Sequence, residues 1–134
     1  MKYIGPDFCN ITTLLSDEEL LIQKTANEFV DKEFMPIVND YYERGSFPTE
    51  LIPKMGELGF FGATLPKKYG GSEISSTAYG LIMQELEKGD SGLRSVCSVQ
   101  GGLVMYPIFE YGSEEQKEKW LPQLAQGSAV GCFG

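Results

Sequence analysis

The sequence predicts an all-α fold, a bundle of five to six helices joined by short loops. Three observations predict it. Capping boxes of the S-x-x-E/Q type open apolar runs at Ser16 and at Ser113. Apolar residues recur at three- and four-residue spacing along most of the chain. No convincing strand pattern occurs before residue 129.

Ser16 and Glu19 start the first helix, each side chain satisfying the other residue's backbone N–H. Ile22, Ala26, Phe29 and Val30 give it one apolar face. Pro36 lacks an N–H and clashes with the preceding turn, so the helix kinks or ends near Met35, with a short extension through Tyr42. Tyr41 and Tyr42 read as packing residues at a helix end. Arg44-Gly45-Ser46 is a loop. Pro48 to Leu58 reads as a second helix, with proline in its first turn and Gly59 just past its end. "GFFGATLPKKYGG" is a buried connector leading to an exposed turn at Lys67-Lys68.

Residues Ser75 to Thr77 cap a third helix that runs to Lys88 and ends at Gly89, with Ala78, Leu81, Ile82 and Leu86 facing inward. Asp90 or Ser91 caps a fourth, reaching roughly Met105, before Pro107. Ser113 caps a fifth, with Trp120, Leu121 and Leu124 as core residues, a bend at Pro122 and a stop at Gly127. The tail Ala129 to Phe133 is apolar and uncharged, like the first half of a buried strand.

At 134 residues the chain fits one domain and can bury about two-thirds of its unfolded surface. A net charge of −8 argues against a nucleic-acid surface. The absence of histidine removes the commonest metal ligand and the usual general base, so neither a zinc site nor a Ser-His pair is expected within the chain. Cys9, Cys97 and Cys132 are widely spaced and odd in number, which suits free thiols. The first ten residues lack the features of a signal or transit peptide, and no apolar run approaches membrane-spanning length. The reading is of a protein in a bacterial cytoplasm or another reducing intracellular compartment.

The fourth helix carries the most information. Arg94 lies in its opening turn, where a cation opposes the positive end of the helix dipole at a cost of about 0.3–1 kcal/mol. Ser91, Ser95, Ser98 and Gly102 line up as a stripe of small residues. One reading packs another helix on that stripe, with Arg94 paired to Glu87 or pointing to water. The other makes the stripe a channel wall with a guanidinium at its mouth, matched to a ligand carboxylate. The trio Asp17, Glu18 and Glu19 suits a helix N-terminus better than a metal site.

Three separated stretches, "ELGFFGATLPKKYGG", "MQELEKGDSGLRSVCSVQGGLVMYPIFEYGSEEQKEKWLPQLAQG" and "GCFG", occur in one order. Together they resemble the N-terminal α-helical domain of the flavin-dependent acyl-CoA dehydrogenases. Within that family they are closest to the glutaryl-CoA dehydrogenase group. The resemblance runs from about Leu15 to Gly134. It implies a division into an N-terminal extension (1–14), the helical domain (15–127) and the start of a middle β-barrel domain (128–134). The remainder of such an enzyme would supply the barrel and the catalytic glutamate. The implied reaction is FAD-dependent oxidation of glutaryl-CoA or a related dicarboxylyl-CoA to the 2-enoyl-CoA, with loss of CO₂ in the glutaryl group. An electron-transfer flavoprotein would accept the electrons, and the intact enzyme would be a homo-oligomer, a tetramer.

By that resemblance Arg94 faces the distal carboxylate of the acyl chain, Ser95 is its hydrogen-bonding neighbour and Glu87 belongs to the same polar cluster. Phe133 and Gly134 begin the flavin-contacting run. The chain alone is then expected to be inactive, to hold no flavin firmly, and to expose the apolar faces that meet the other domains. The channel lining, "LRS", "VCSVQGG" and "VMYP", is this chain's own. The alternative is a free-standing helical interaction module with no chemistry, which the absence of histidine favours and the apolar tail counts against.

Overall fold

Helix α1 (Asp17–Phe29) begins where the capping box requires: the Glu19 N–H donates to Ser16 Oγ and the Ser16 N–H donates back to the Glu19 carboxylate. The computed structural model describes residues 8–134, and among them every regular element is helical. The leader expectation for the first ten residues therefore lies mostly outside the described residues. A short 3₁₀ turn (Ile11–Leu14) precedes α1.

The predicted disruption before Pro36 is a widened helical turn. Val30–Phe34 follows α1 with i→i+5 bonding, and the Met35 N–H closes it on Val30 O at 2.9 Å. The chain then continues as α2 (Val38–Glu43). Tyr42 is not a packing residue; it is exposed, while Tyr41 is half-buried with its hydroxyl on the Glu50 carboxylate. Helix α3 (Leu51–Glu57) is shorter than predicted, because Pro48 to Glu50 form a turn ahead of it. Gly59 leaves it in the left-handed conformation (φ 74°), which favours glycine.

The connector is buried as expected. Phe60, Phe61, Ala63 and Leu65 join the core, and the Phe60 ring meets Phe29 edge-on at 5.6 Å. Its exposed end, a 3₁₀ turn (Lys67–Tyr69), is tied to the start of the last helix. Lys68 Nζ (3.0 Å) and the Tyr69 hydroxyl (2.7 Å) both donate to Glu114.

Helix α4 (Ser76–Gly89), capped by Ser75, packs along α1. Its inward face differs from the prediction. Leu81 is only half-buried, and Glu85 is buried instead. Glu85 accepts from Gln23 Nε2 (3.1 Å), Asn27 Nδ2 (3.0 Å) and Lys88 Nζ (2.7 Å), so a polar tie joins the two helices. Gly89 is the last helical residue rather than a left-handed stop; a Cβ there would meet Val30 Cγ1 at 2.8 Å.

Asp90 caps α5 (Ser91–Ser98), accepting from the N–H groups of Gly92 and Leu93. The rod does not end near Met105. A second widened segment (Val99–Met105) passes directly into α6 (Tyr106–Tyr111), with Pro107 in its first turn. Proline is tolerated there because its missing N–H falls where the helical bonding pattern is already restarting. Counting this continuous run as one rod gives six rods among the described residues, within the predicted range.

Helix α7 (Glu114–Ala125) opens on the Ser113–Gln116 capping box and runs through Pro122. Leu121, Leu124 and Ala125 are buried, but Trp120 is not a core anchor; 42% of it is exposed. Leu121 takes the inward direction, and at 100° per residue its neighbour falls on the flank, where Lys119 lies over the indole at 4.9 Å. Gly127 ends the helix with φ 72°. The tail beyond it forms no strand, and Val130, Cys132 and Phe133 are exposed.

Two measurements test this packing. Glu85→Ala leaves the Gln23 and Asn27 amides without their acceptor, and urea unfolding is expected to show a loss of about 1–3 kcal/mol. The Glu114 carboxyl is held down to about 2 by the Tyr69 hydroxyl, then by Lys68 and Lys117. Its contribution to stability is therefore complete above the ordinary value of 4.5 and lost as pH falls through about 2. The stability gap between wild type and Glu114→Gln should be constant near neutral pH and shrink over that acidic window.

Candidate substrate-binding site

The polar cluster forms where α4 hands over to α5. Glu87 is in the last turn of α4 and Arg94 in the first turns of α5, with the Asp90 cap between them. The cap turns the chain so that the two side chains meet. Arg94 Nε donates to Glu87 Oε2 at 2.7 Å, and Nη1 donates to Ser98 Oγ at 3.2 Å. Ser91 Oγ donates to the other carboxylate oxygen at 2.8 Å. The Arg94 hydrogen bond, and next the Ser91 hydroxyl, hold the Glu87 carboxyl below its ordinary value. Glu87 therefore stays ionised and keeps the guanidinium oriented.

The cluster faces outward. The side chains of Arg94 and Glu87 are 36% and 47% exposed. The small-residue stripe is likewise uncovered among the described residues: Ser91 and Gly102 are exposed, Ser95 and Ser98 half-buried. A Cβ on Gly102 would have open space around it. Thus no helix packs on the stripe, although Arg94 does pair with Glu87. The Arg94 Nη2 group has no partner among the described residues.

Of the sequence-predicted residues, Glu87 and Arg94 are in direct contact. Ser95 is on the same turn, and its backbone C=O accepts from Ser98 Oγ at 3.1 Å. Phe133 and Gly134 are not joined to the cluster by any hydrogen bond among the described residues. Ser91 and Ser98 complete the cluster; the small-residue stripe was the signal for them, but their bonds to Glu87 and Arg94 were not foreseen.

Other features carry less chemistry. A groove of about 540 Å³ lies between α1 and α3, lined by Leu21, Lys24, Glu28, Lys54 and Leu58 among others. Its lysines face glutamates: Lys32 meets Glu28 at 2.8 Å and Lys54 pairs with Glu33. That is a solvated ion-pair surface with no convergent donor set. No group of His, Cys, Asp or Glu side chains suits a metal ion among the described residues. No helix there is long and apolar enough to cross a membrane.

The capped helices, with an outward polar cluster where α4 meets α5, define an all-helical domain. The acyl-CoA dehydrogenase N-terminal domain model matches residues 16–128, and the chain belongs to that family. Glutaryl-CoA dehydrogenase of Mycobacterium smegmatis is 46% identical, with a TM-score of 0.91 over 96% of this chain and 33% of that one. A glutaryl-CoA dehydrogenase of the same organism, solved in complex with FADH2, is 45% identical, with a TM-score of 0.92 over 96% of this chain and 33% of that one. A glutaryl-coenzyme A dehydrogenase solved with glutaryl-CoA is 34% identical, with a TM-score of 0.83 over 87% of this chain and 30% of that one. The probable acyl-CoA dehydrogenase YngJ of Bacillus subtilis is 36% identical over 90% of this chain and 32% of its own length. The chain thus spans about a third of the relatives it matches.

Cys97, on the buried side of α5, is fully enclosed, and burial pushes its thiol up to about 12. Native-state alkylation near neutral pH should therefore label the exposed Cys9 and Cys132 and spare Cys97 until denaturant is added, as read by intact mass.

Proposed function

We propose that this chain is the N-terminal helical domain of an FAD-dependent acyl-CoA dehydrogenase acting on glutaryl-CoA or a related dicarboxylyl-CoA. The observation that carries the reading is Arg94: a guanidinium fixed by Glu87 and Ser98, with a donor edge to spare, on an uncovered small-residue face. Identity of 46% to a glutaryl-CoA dehydrogenase supports the same acyl class. Residues 15–127 are read as the helical domain, with 1–14 as an extension before it and 128–134 as the lead into a β-rich domain.

In this reading Arg94 receives the distal carboxylate of the acyl chain through its remaining N–H donors. Glu87 holds the guanidinium plane. Its negative charge makes the pair neutral overall, so a carboxylate is recognised by fork geometry more than by net charge. Ser95 supplies a hydroxyl beside it, and Gly102 leaves room for the methylene chain.

Phe133 and Gly134 are the residues of this chain that would contact FAD, and the Phe133 ring is 72% exposed and so accessible to it. When bound, the flavin supplies the hydride acceptor for α,β-dehydrogenation. The proton-abstracting carboxylate, the electron-transfer flavoprotein that takes the electrons, the decarboxylation step and the homotetrameric assembly belong to this proposal for the whole enzyme.

Arg94→Ala in the full-length enzyme tests it. Hydrogen bonds to charged groups are worth about 1.5–3 kcal/mol. The variant is therefore expected to lose about 10- to 150-fold more kcat/KM on glutaryl-CoA than on a neutral acyl-CoA of similar length. Equal losses on the two substrates would remove the carboxylate role.

A further inference from the structure

Gln100 lies in the widened segment between α5 and α6 and is 1% exposed. A buried carboxamide must find partners for its donors and its acceptor. Gln100 finds three. Its Nε2 donates to Leu124 O at 2.9 Å, at the end of α7, and to Ala129 O at 2.8 Å, in the tail. Its Oε1 accepts the Gly131 N–H at 3.0 Å. One amide thus holds the C=O of residue 129 and the N–H of residue 131, as the N–H and C=O of a single residue on a neighbouring parallel strand would. The tail has no strand to pair with among the described residues, and this side chain takes that place.

A separate observation seats the same tail. A Cβ on Gly131 would lie 2.4 Å from Val104 Cγ1, on the same widened segment. Only a residue without a side chain comes this close. Beyond Gly127 the backbone could leave the bundle in many directions, and fixing each residue costs about 1–2 kcal/mol of conformational entropy. The Gln100 amide and the Val104 contact select one.

We propose that Gln100 is a positioning residue that fixes the exit of the chain from the helical bundle, and through it the placement of Phe133 and Gly134 against the flavin. The second half rests on the function proposed above; the first half does not. The side chain also has to be an amide. An ionised glutamate would turn acceptors toward Leu124 O and Ala129 O, whereas a protonated one regains a donor.

The experiment uses the full-length enzyme with Gln100→Met, Gln100→Glu and Gly131→Ala. Hydrogen–deuterium exchange is read over residues 127–134 and over α1 and α4, and FAD affinity is measured by titrating apoenzyme. Gln100→Met is expected to speed exchange over 127–134 by about tenfold or more, leave α1 and α4 unchanged, and weaken FAD by a similar factor. Gln100→Glu should match it at pH 8 and recover towards wild type as pH falls and the carboxyl is protonated. Should Gln100→Met fail to fold, Gly131→Ala pushes the tail off Val104 and away from Gln100 Oε1 while leaving the Gln100 side chain itself in place, and is expected to give the same pattern. Unchanged exchange over 127–134 in these variants overturns the clip. Faster exchange with unaltered FAD affinity overturns the link to the flavin. A wild-type enzyme that binds no FAD overturns the proposed function and leaves the exchange result to judge the clip alone.

Discussion

The burial of one side of a single continuous rod, α5 through α6, decides the direction of Arg94, Ser95 and Ser98. Leu93, Cys97, Gln100 and Met105 are all buried to 1% exposure or less. Their spacings are four, three and five residues. The last step is a turn wider than α, and it falls within the i→i+5 segment. Without that extra residue the inward face would drift, and Pro107 would interrupt an ordinary ladder. With it, the rod keeps its core contacts across three registers. The opposite face, with Arg94, Ser95, Ser98 and Gly102, is turned outward as a consequence.

Stability does not account for the arginine. A cation near a helix N-terminus costs about 0.3–1 kcal/mol. Its partner Glu87 is roughly half exposed, and such pairs are worth about 0–1 kcal/mol. The two effects cancel to within their spread. Asp90 already satisfies the first N–H groups of α5, so the helix needs nothing further there. Arg94 is thus held in one orientation by two hydrogen bonds without an evident gain in stability, which is the ground for the binding role proposed above.

The caps were legible because they are local. Ser16 with Glu19, Ser75, and Ser113 with Gln116 each act across three residues, and all occur as read. The pairing of Arg94 with Glu87 was legible for the same reason, being seven residues apart across one turn. What the sequence did not display depends on distant partners. Glu85 reads as a surface glutamate until Gln23 and Asn27, about sixty residues earlier, close over it. Gln100 reads as one polar residue before two glycines until the tail arrives from thirty residues on. Trp120 misled in the other direction: size and apolarity suggested the core, but Leu121 already held the inward position. The widened turns are half visible in the sequence, since Pro36 announces the first but Pro107 reads as a stop at the second.

The two buried polar residues divide the labour between the rigid part of the bundle and its exit. Burying an amide or a carboxylate without partners costs several kcal/mol, so each persists only where its bonds are complete. No buried side-chain polar atom among the described residues lacks a partner. Glu85 takes its bonds from α1 and from its own helix, which fixes α1 against α4 and so the frame on which Glu87 stands. Gln100 takes its bonds from the end of α7 and from the tail, which fixes where the chain leaves. An apolar residue at either place would fill the space equally well but would leave two segments free to slide past each other. The polar choice therefore sets geometry where packing alone would set only volume.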